Sequence, residues 1–281
     1  AKAGDSNKVT ATKDRWYANG DEIAGFLAQA NPVHWPVSEV GPMMRGHLDL
    51  TLSEAVNHLQ GKFAADIADY DRIHLQILDM ADTLTDGIIA QFPNQFGEPV
   101  EPSAKAVLRT DMRKLWEDHV TWTRLFIVSA LAAAPDTDAT AQRLLKNQGD
   151  IGNAIKPLYG DAAGAQLTAL LRDHILTAAD LLGAAKAGDS AKVTTTSARW
   201  YANADEIAGL LAKANPAHWP VSPMGPMMRE HLDHTLSEAV NQLKGDFAAG
   251  IADYDRIHLQ ILEMSDMLTD GIVRQHPGQF S

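Results

Sequence analysis

Apolar residues recur every three or four positions over most of the chain, which is the spacing of one face of an α-helix. Between residues 105 and 134 they fall three, four or seven positions apart, at Leu108, Met112, Leu115, Trp122 and Phe126. No segment alternates apolar and polar residues with an excess of β-branched side chains, so no strand is predicted. Short connections between such helices favour antiparallel neighbours. The sequence therefore predicts an all-α fold, an antiparallel helical bundle of about nine helices.

Two Asn–Pro pairs mark predicted helix ends, because the residue before a proline avoids the helical region. These pairs are Asn31–Pro32 and Asn215–Pro216. Two long amphipathic segments, 67–91 and 251–275, predict further helices, and each is soon followed by a proline.

Residues 1–96 recur as residues 185–280, with about 73 of the 96 aligned positions identical. The motifs RWYAN, DEIAG, HWPVS, TLSEAVN and IADYDRIHLQIL appear in register in both copies. The segment between the copies occurs once and opens with a polar, proline-bearing stretch. We therefore divide the chain into a partial, C-terminal-half copy at 1–96, a linker at 97–104 and a complete six-helix unit at 105–281. The chain reads as one and a half copies of a helical module.

The complete unit contains a weaker repeat of three helical hairpins. The first helix of each hairpin carries an acidic residue followed by a histidine, and the second helix follows after a turn. The second helices are predicted at 141–155, 198–214 and 251–275. The three histidines are His119, His174 and His231.

His119, His174 and His231 fall on or beside the apolar face of their helices, so the three imidazoles could converge in the bundle core. Three histidine ligands would suit zinc, copper or ferrous iron. Alternatively, each buried imidazole bonds to a neighbouring helix without a metal, or the three form a pH-responsive core. The sequence favours the structural role, with no cofactor, and keeps a divalent transition-metal ion at these histidines as the alternative.

Composition excludes several function classes. Lys plus Arg number 24 against 36 Asp plus Glu, a formal charge of −12, which argues against sequence-independent nucleic-acid binding and against docking on anionic lipid. The longest apolar run, Leu125–Ala134, is too short for a membrane span. The chain has no cysteine, so disulfides, zinc-thiolate sites and cysteine nucleophiles are excluded. No nucleophile elbow or glycine-rich phosphate loop occurs, which favours a non-enzymatic role.

Several motifs carry a resemblance: LWEDHVTWTR at 115–124, NQGDIGNAIKPLYG at 147–160, RWYANADEIAG at 199–209, and MADTLTDGI and MSDMLTDGI at 80–88 and 264–272. The chain resembles a family of small, uncharacterised bacterial all-helical proteins, some of which carry an export signal. The single unit of that family corresponds to about residues 105–280. Names attached to such proteins include glycosyltransferase and acetylglutamate kinase, but the α/β architecture of those activities is not predicted here. The resemblance implies a helical fold and export.

A half copy exposes the apolar faces that its missing helices would cover. We expect residues 1–96 to pack within their own chain or on another chain, by domain swapping or by head-to-tail filament assembly. The first hypothesis is a non-enzymatic helical repeat protein that self-associates or binds another protein, without nucleic acid or membrane insertion. A metal-binding bundle is the second. The start at Ala1 resembles a mature protein after signal cleavage, so we expect a secreted or cell-surface location, with the cytoplasm as the alternative.

Overall fold

The structure is a computed structural model that describes residues 5–97 and 101–280. The described residues form helices joined by turns, with no strand among them, so the predicted all-α fold is confirmed. In chain order the helices are α1 (Ser6–Ala30), α2 (Val37–Leu59), α3 (Phe63–Gln91), α4 (Pro93–Phe96), α5 (Ala104–Ala132), α6 (Thr137–Ala187), α7 (Ser190–Ala214), α8 (Val221–Lys244) and α9 (Phe247–Gln275), followed by a 3₁₀ turn at Pro277–Gln279.

The helices group into two compact units, Ala1–Glu101 (the first unit) and Pro102–Ser281 (the second unit). The first unit contains α1 to α4, and the second contains α5 to α9. Within the part of the chain that is described, no helix is both long and apolar enough to cross a membrane. That the first unit is a partial copy of a longer module stays a prediction.

Helices α1 and α7 begin in the same way because the two copies share the sequence Gly-Asp-Ser. The Asp5 carboxylate accepts a hydrogen bond from the backbone N–H of Lys8 at 3.0 Å, and Asp189 accepts one from Lys192 at 3.0 Å. Each bond satisfies one of the free N–H groups at a helix start. The repeat therefore extends to the capping of its helices.

Both helices also end where the sequence predicts, directly before their Asn–Pro pair. The Asn31 side chain donates to the Gly87 carbonyl at 2.7 Å, and Asn215 donates to the Gly271 carbonyl at 2.9 Å. The same asparagine thus ends the helix and ties that end to α3 or α9.

Helix α6 contains two helical arms, as the sequence predicts for this region. The arms are joined by a non-helical break at Gly160, whose φ of 85° lies in the left-handed region that glycine tolerates. The two arms fold back on each other, and a Cβ on Gly152 would lie 2.6 Å from the Gly164 carbonyl oxygen. The first arm completes the first predicted hairpin, and the second arm begins the next.

The core of the second unit is a continuous hydrophobic cluster to which all five of its helices contribute. Ion pairs join α5 to α9 at the edge of this core. Arg113 binds Asp266 through two bonds of 2.7 and 2.5 Å, and Arg109 binds Asp270 at 2.7 Å. Residue numbers rise along α5 as they fall along α9, so the two helices are antiparallel.

Candidate functional site

The structure brings the three candidate histidines of the second unit together. His119 on α5, His174 on α6 and His231 on α8 are each only 3 to 4% exposed. All three line one cavity of about 60 Å³. The rings of His119 and His231 lie 5.7 Å apart, and the His174 ring lies 5.3 Å from that of Trp200. The cavity is therefore the first candidate site.

Two of these histidines face a side-chain amide that comes 29 residues later in the chain. The Nδ1 atom of His174 lies 2.9 Å from Oδ1 of Asn203, and Nδ1 of His119 lies 3.3 Å from Nε2 of Gln148. His231 has Gln260 at the same separation along the chain. The weak hairpin repeat seen in the sequence thus has a matching arrangement of side chains.

The first unit contains the same pair. Nδ1 of His47 lies 3.0 Å from Oε1 of Gln76, again 29 residues later. Gln76 and Gln260 donate to equivalent carbonyls, of Met43 at 3.2 Å and of Met227 at 3.0 Å, but Nδ1 of His231 has no hydrogen-bond partner among the described residues. The His231 imidazole is therefore the least constrained of the set.

The partners of the amides determine where the imidazole hydrogens lie. Asn203 donates from Nδ2 to the Leu170 carbonyl at 3.1 Å, which turns its acceptor Oδ1 toward His174. His174 therefore carries its hydrogen on Nδ1, and its Nε2 has a free lone pair. None of the Nε2 atoms of His119, His174 and His231 makes a hydrogen bond to a described residue.

His119 has the opposite arrangement. Nε2 of Gln148 lies 2.9 Å from the Leu144 carbonyl oxygen, 3.1 Å from Oδ1 of Asn147 and 3.3 Å from Nδ1 of His119, so the amide nitrogen, which only donates, faces this imidazole. A hydrogen on Nδ1 of His119 would point at that NH₂ group, so the hydrogen of this ring lies on Nε2. The cavity wall thus contains at least one acceptor, on His174, and one donor, on His119.

Burial keeps these imidazoles uncharged. Desolvation lowers the pKa of His174 to about 4 and that of His231 to about 3. Desolvation, together with the neighbouring His231 and His174, lowers the pKa of His119 well below its usual value. No Asp, Glu, Lys or Arg lines the cavity. At neutral pH the site is polar in places but carries no charge.

The metal hypothesis for His119, His174 and His231 stays a prediction. Across residues 5–97 and 101–280 no three side chains of ligand type form a group that could hold a metal ion. An N–H on Nε2 of His119 also offers a donor where a metal would need a lone pair.

A second candidate site is an apolar surface of the first unit, which we call the open face. Its residues are 36 to 41% exposed, whereas the same residues of the second copy are at most 3% exposed. The open face consists of Trp16, Ile23, Ile77 and Ile88, which correspond to Trp200, Ile207, Ile261 and Ile272.

In the second unit, α5 and α6 cover this surface and form ion pairs around it. Besides the α5–α9 pairs, Arg199 of α7 binds Asp173 of α6 at 2.7 Å. The first copy keeps the residues equivalent to Arg199, Asp266 and Asp270. These are Arg15, Asp82 and Asp86, and none of them has an ion-pair partner within the described ranges. The open face therefore keeps its charged rim as well as its apolar centre.

One buried ionisable residue of the second unit, Glu238, was not among the candidate site residues predicted from the sequence. It is 2% exposed, and its Oε1 lies 2.6 Å from Nη1 of Arg124. Desolvation raises its pKa to about 7 even though the Arg124 charge opposes this shift. Its only signal in the sequence is an acid retained in the TLSEAVN motif of both copies.

Comparisons of the chain with protein-family models, curated proteins and solved structures find no match. The resemblance to the bacterial helical family stays a prediction, and function has to be argued from the geometry of the two sites.

Proposed function

We propose that the protein acts by self-association, through pairing of the open faces of two copies. The observation that carries this proposal is the contrast between the two copies of the repeat. Ile23 and Ile207 occupy the same position, yet Ile23 is 41% exposed and Ile207 is 1% exposed. An apolar surface with a retained charged rim is typical of an interaction site rather than of solvated protein surface.

The second unit indicates what kind of occupant fits this surface. There α6 packs against α7 and α5 packs against α9, while Tyr159 in the first arm of α6 bonds to Gln275 at the end of α9, so α5 and both arms of α6 contact the layer formed by α7, α8 and α9. A second copy of α1, α2 and α3 would also supply three helices, and the pair would form a six-helix bundle. Such isologous pairing buries both open faces at once, which is the common arrangement in homodimers.

The charges around the open face also support a second copy of the chain as the partner. The rim of the open face carries both signs, with Arg15 on α1 and Asp82 and Asp86 on α3. Two copies related by a two-fold axis can place the basic residue of one beside the acidic residues of the other. A uniformly acidic rim would instead repel its own copy.

Sedimentation equilibrium of the full chain over a wide concentration range tests the proposal. We expect a reversible monomer–dimer equilibrium that Ile23→Asp weakens at least tenfold. Val33→Asp is the matched control, because Val33 is 78% exposed and lies outside the open face, and it should leave the equilibrium unchanged.

Three results would overturn pairing of the open faces. A monomer at every concentration would leave the surface to a different partner. Association that Ile23→Asp does not weaken would place the contact elsewhere. Growth beyond a dimer would indicate head-to-tail assembly instead of closed pairing.

A further inference from the structure

Self-association through the first unit makes no use of the histidine-lined cavity in the second unit. Apart from the histidines, its wall is mainly apolar and includes Phe126, Leu144, Ile175, Leu181, Trp200 and Val240. The volume of about 60 Å³ exceeds the roughly 10–15 Å³ that one water molecule needs. The space is therefore suited to a small molecule with an apolar body.

The polar atoms in the wall restrict the chemistry of that molecule. Nε2 of His174 offers a lone pair, Nε2 of His119 offers a hydrogen, and neither atom has a partner among the described residues. A hydroxyl group donates one hydrogen bond and accepts another, so it matches the hydrogen-bonding chemistry of both atoms. A cation or an anion would lose its hydration without meeting an opposite charge, which is costly.

We propose that the cavity binds a small uncharged hydroxyl compound, of the class of short-chain alcohols. The hydroxyl donates to Nε2 of His174 and accepts from Nε2 of His119, while the alkyl group contacts the apolar wall. Asn203 and Gln148 act as positioning residues, because their amides fix the hydrogen on each ring.

The test is an NMR titration of the full chain with 2-propanol, followed through the imidazole signals of His119 and His174. Acetone is the matched probe, since it has nearly the same shape but no hydrogen to donate. We expect saturable shifts with 2-propanol, with a dissociation constant in the millimolar range, and binding of acetone weaker by at least fivefold. Zinc chloride alone is titrated in parallel.

Two variants locate the binding. Ala239 lines the cavity, so Ala239→Leu should fill it and abolish the saturable shifts while both histidines remain. Ala198→Leu is the control, because Ala198 is an exposed residue of α7 outside the cavity. Where Ala239→Leu fails to fold by circular dichroism, Ala178→Leu fills the same cavity from α6.

Four outcomes would overturn the inference. Shifts that never saturate would mean that the cavity holds water only. Equal binding of acetone would remove the role of the hydroxyl, and unchanged binding in the filled variant would place the alcohol elsewhere. Tight zinc binding that displaces 2-propanol would identify a metal site at the same histidines.

Discussion

Trp16 and Trp200 occupy the same position in the two copies of the repeat, but Trp16 is 36% exposed and Trp200 is 3% exposed. The surrounding sequence, RWYAN, is the same in both copies. The difference comes from α6, whose His174 ring lies 5.3 Å from the Trp200 ring. One local sequence therefore forms a buried core in one unit and an exposed surface in the other, depending on the helices that pack against it.

This contrast predicts opposite costs for one substitution made at two equivalent positions. Ile207→Asp places a carboxylate at a site that is 1% exposed, so we expect the free energy of unfolding to fall by about 4 kcal/mol or more. Ile23→Asp changes a residue that is 41% exposed and should cost less than about 1 kcal/mol in the monomer.

Urea denaturation followed by circular dichroism, at a concentration where the chain is monomeric, measures both costs. Similar losses for Ile23→Asp and Ile207→Asp would mean that a covering layer protects the first unit as well, and the open face would not exist.

The ion pair between Arg124 and Glu238 gives a second prediction. Arg124→Met leaves a carboxylate that is 2% exposed without its cation, so we expect a loss of about 3–5 kcal/mol at pH 8. The pKa of Glu238, already raised to about 7, rises further when the guanidinium is gone. At pH 5 the group is protonated in the folded state, and the loss should shrink.

Unfolding free energies at the two pH values check this prediction. Arg45→Met is the control, because Arg45 and Asp21 form an exposed pair at 2.5 Å, and its loss should be under about 1 kcal/mol at either pH. The double variant Arg124→Met/Glu238→Gln should recover part of the stability at pH 8. A loss that is the same at both pH values would argue against an ionised Glu238.

The sequence predicted those features that depend on neighbours along the chain. The end of α7 follows from the proline after Asn215, and the apolar spacing around His119 placed that residue in the core. The two arms of α6 were predicted as separate helices, but the position of the break at Gly160 was not, because a glycine between two helical patterns also fits an ordinary loop. The tautomer of His174 depends on Asn203, 29 residues away, and only packing brings the two together.

The contact between Gly271 and Trp219 gives a third prediction. A Cβ on Gly271 would collide with the Trp219 indole, which is 2% exposed and has no room to move aside. Gly271→Ala should therefore lower the free energy of unfolding by about 1–3 kcal/mol.

Gly209 is the matched control because it also lies in a helix and has open space around it. Gly209→Ala should raise stability by about 0.5–1 kcal/mol, since alanine favours the helix. Thermal unfolding of the two variants distinguishes these effects. An increase in melting temperature for Gly271→Ala would show that the tryptophan can move.

The buried histidines give a last prediction, on pH. The pKa of His174 is near 6.5 in the unfolded chain and about 4 in the folded protein, because burial disfavours the charged ring. The unfolded state therefore binds the proton more tightly, and stability present above pH 6.5 is lost as the pH falls toward 4. For His174 alone this amounts to about 3 kcal/mol.

Glu238 acts in the opposite direction, because its pKa is raised to about 7 in the folded protein and its contribution grows as the pH falls from 7 toward 4.5. The difference between variants is therefore the useful quantity. His174→Leu should reduce the loss between pH 7 and pH 4 by about 3 kcal/mol, whereas His34→Leu, at an exposed site, should leave it unchanged. Equal pH dependence in His174→Leu and the parent protein would mean that His174 binds its proton as readily in the folded state as in the unfolded chain.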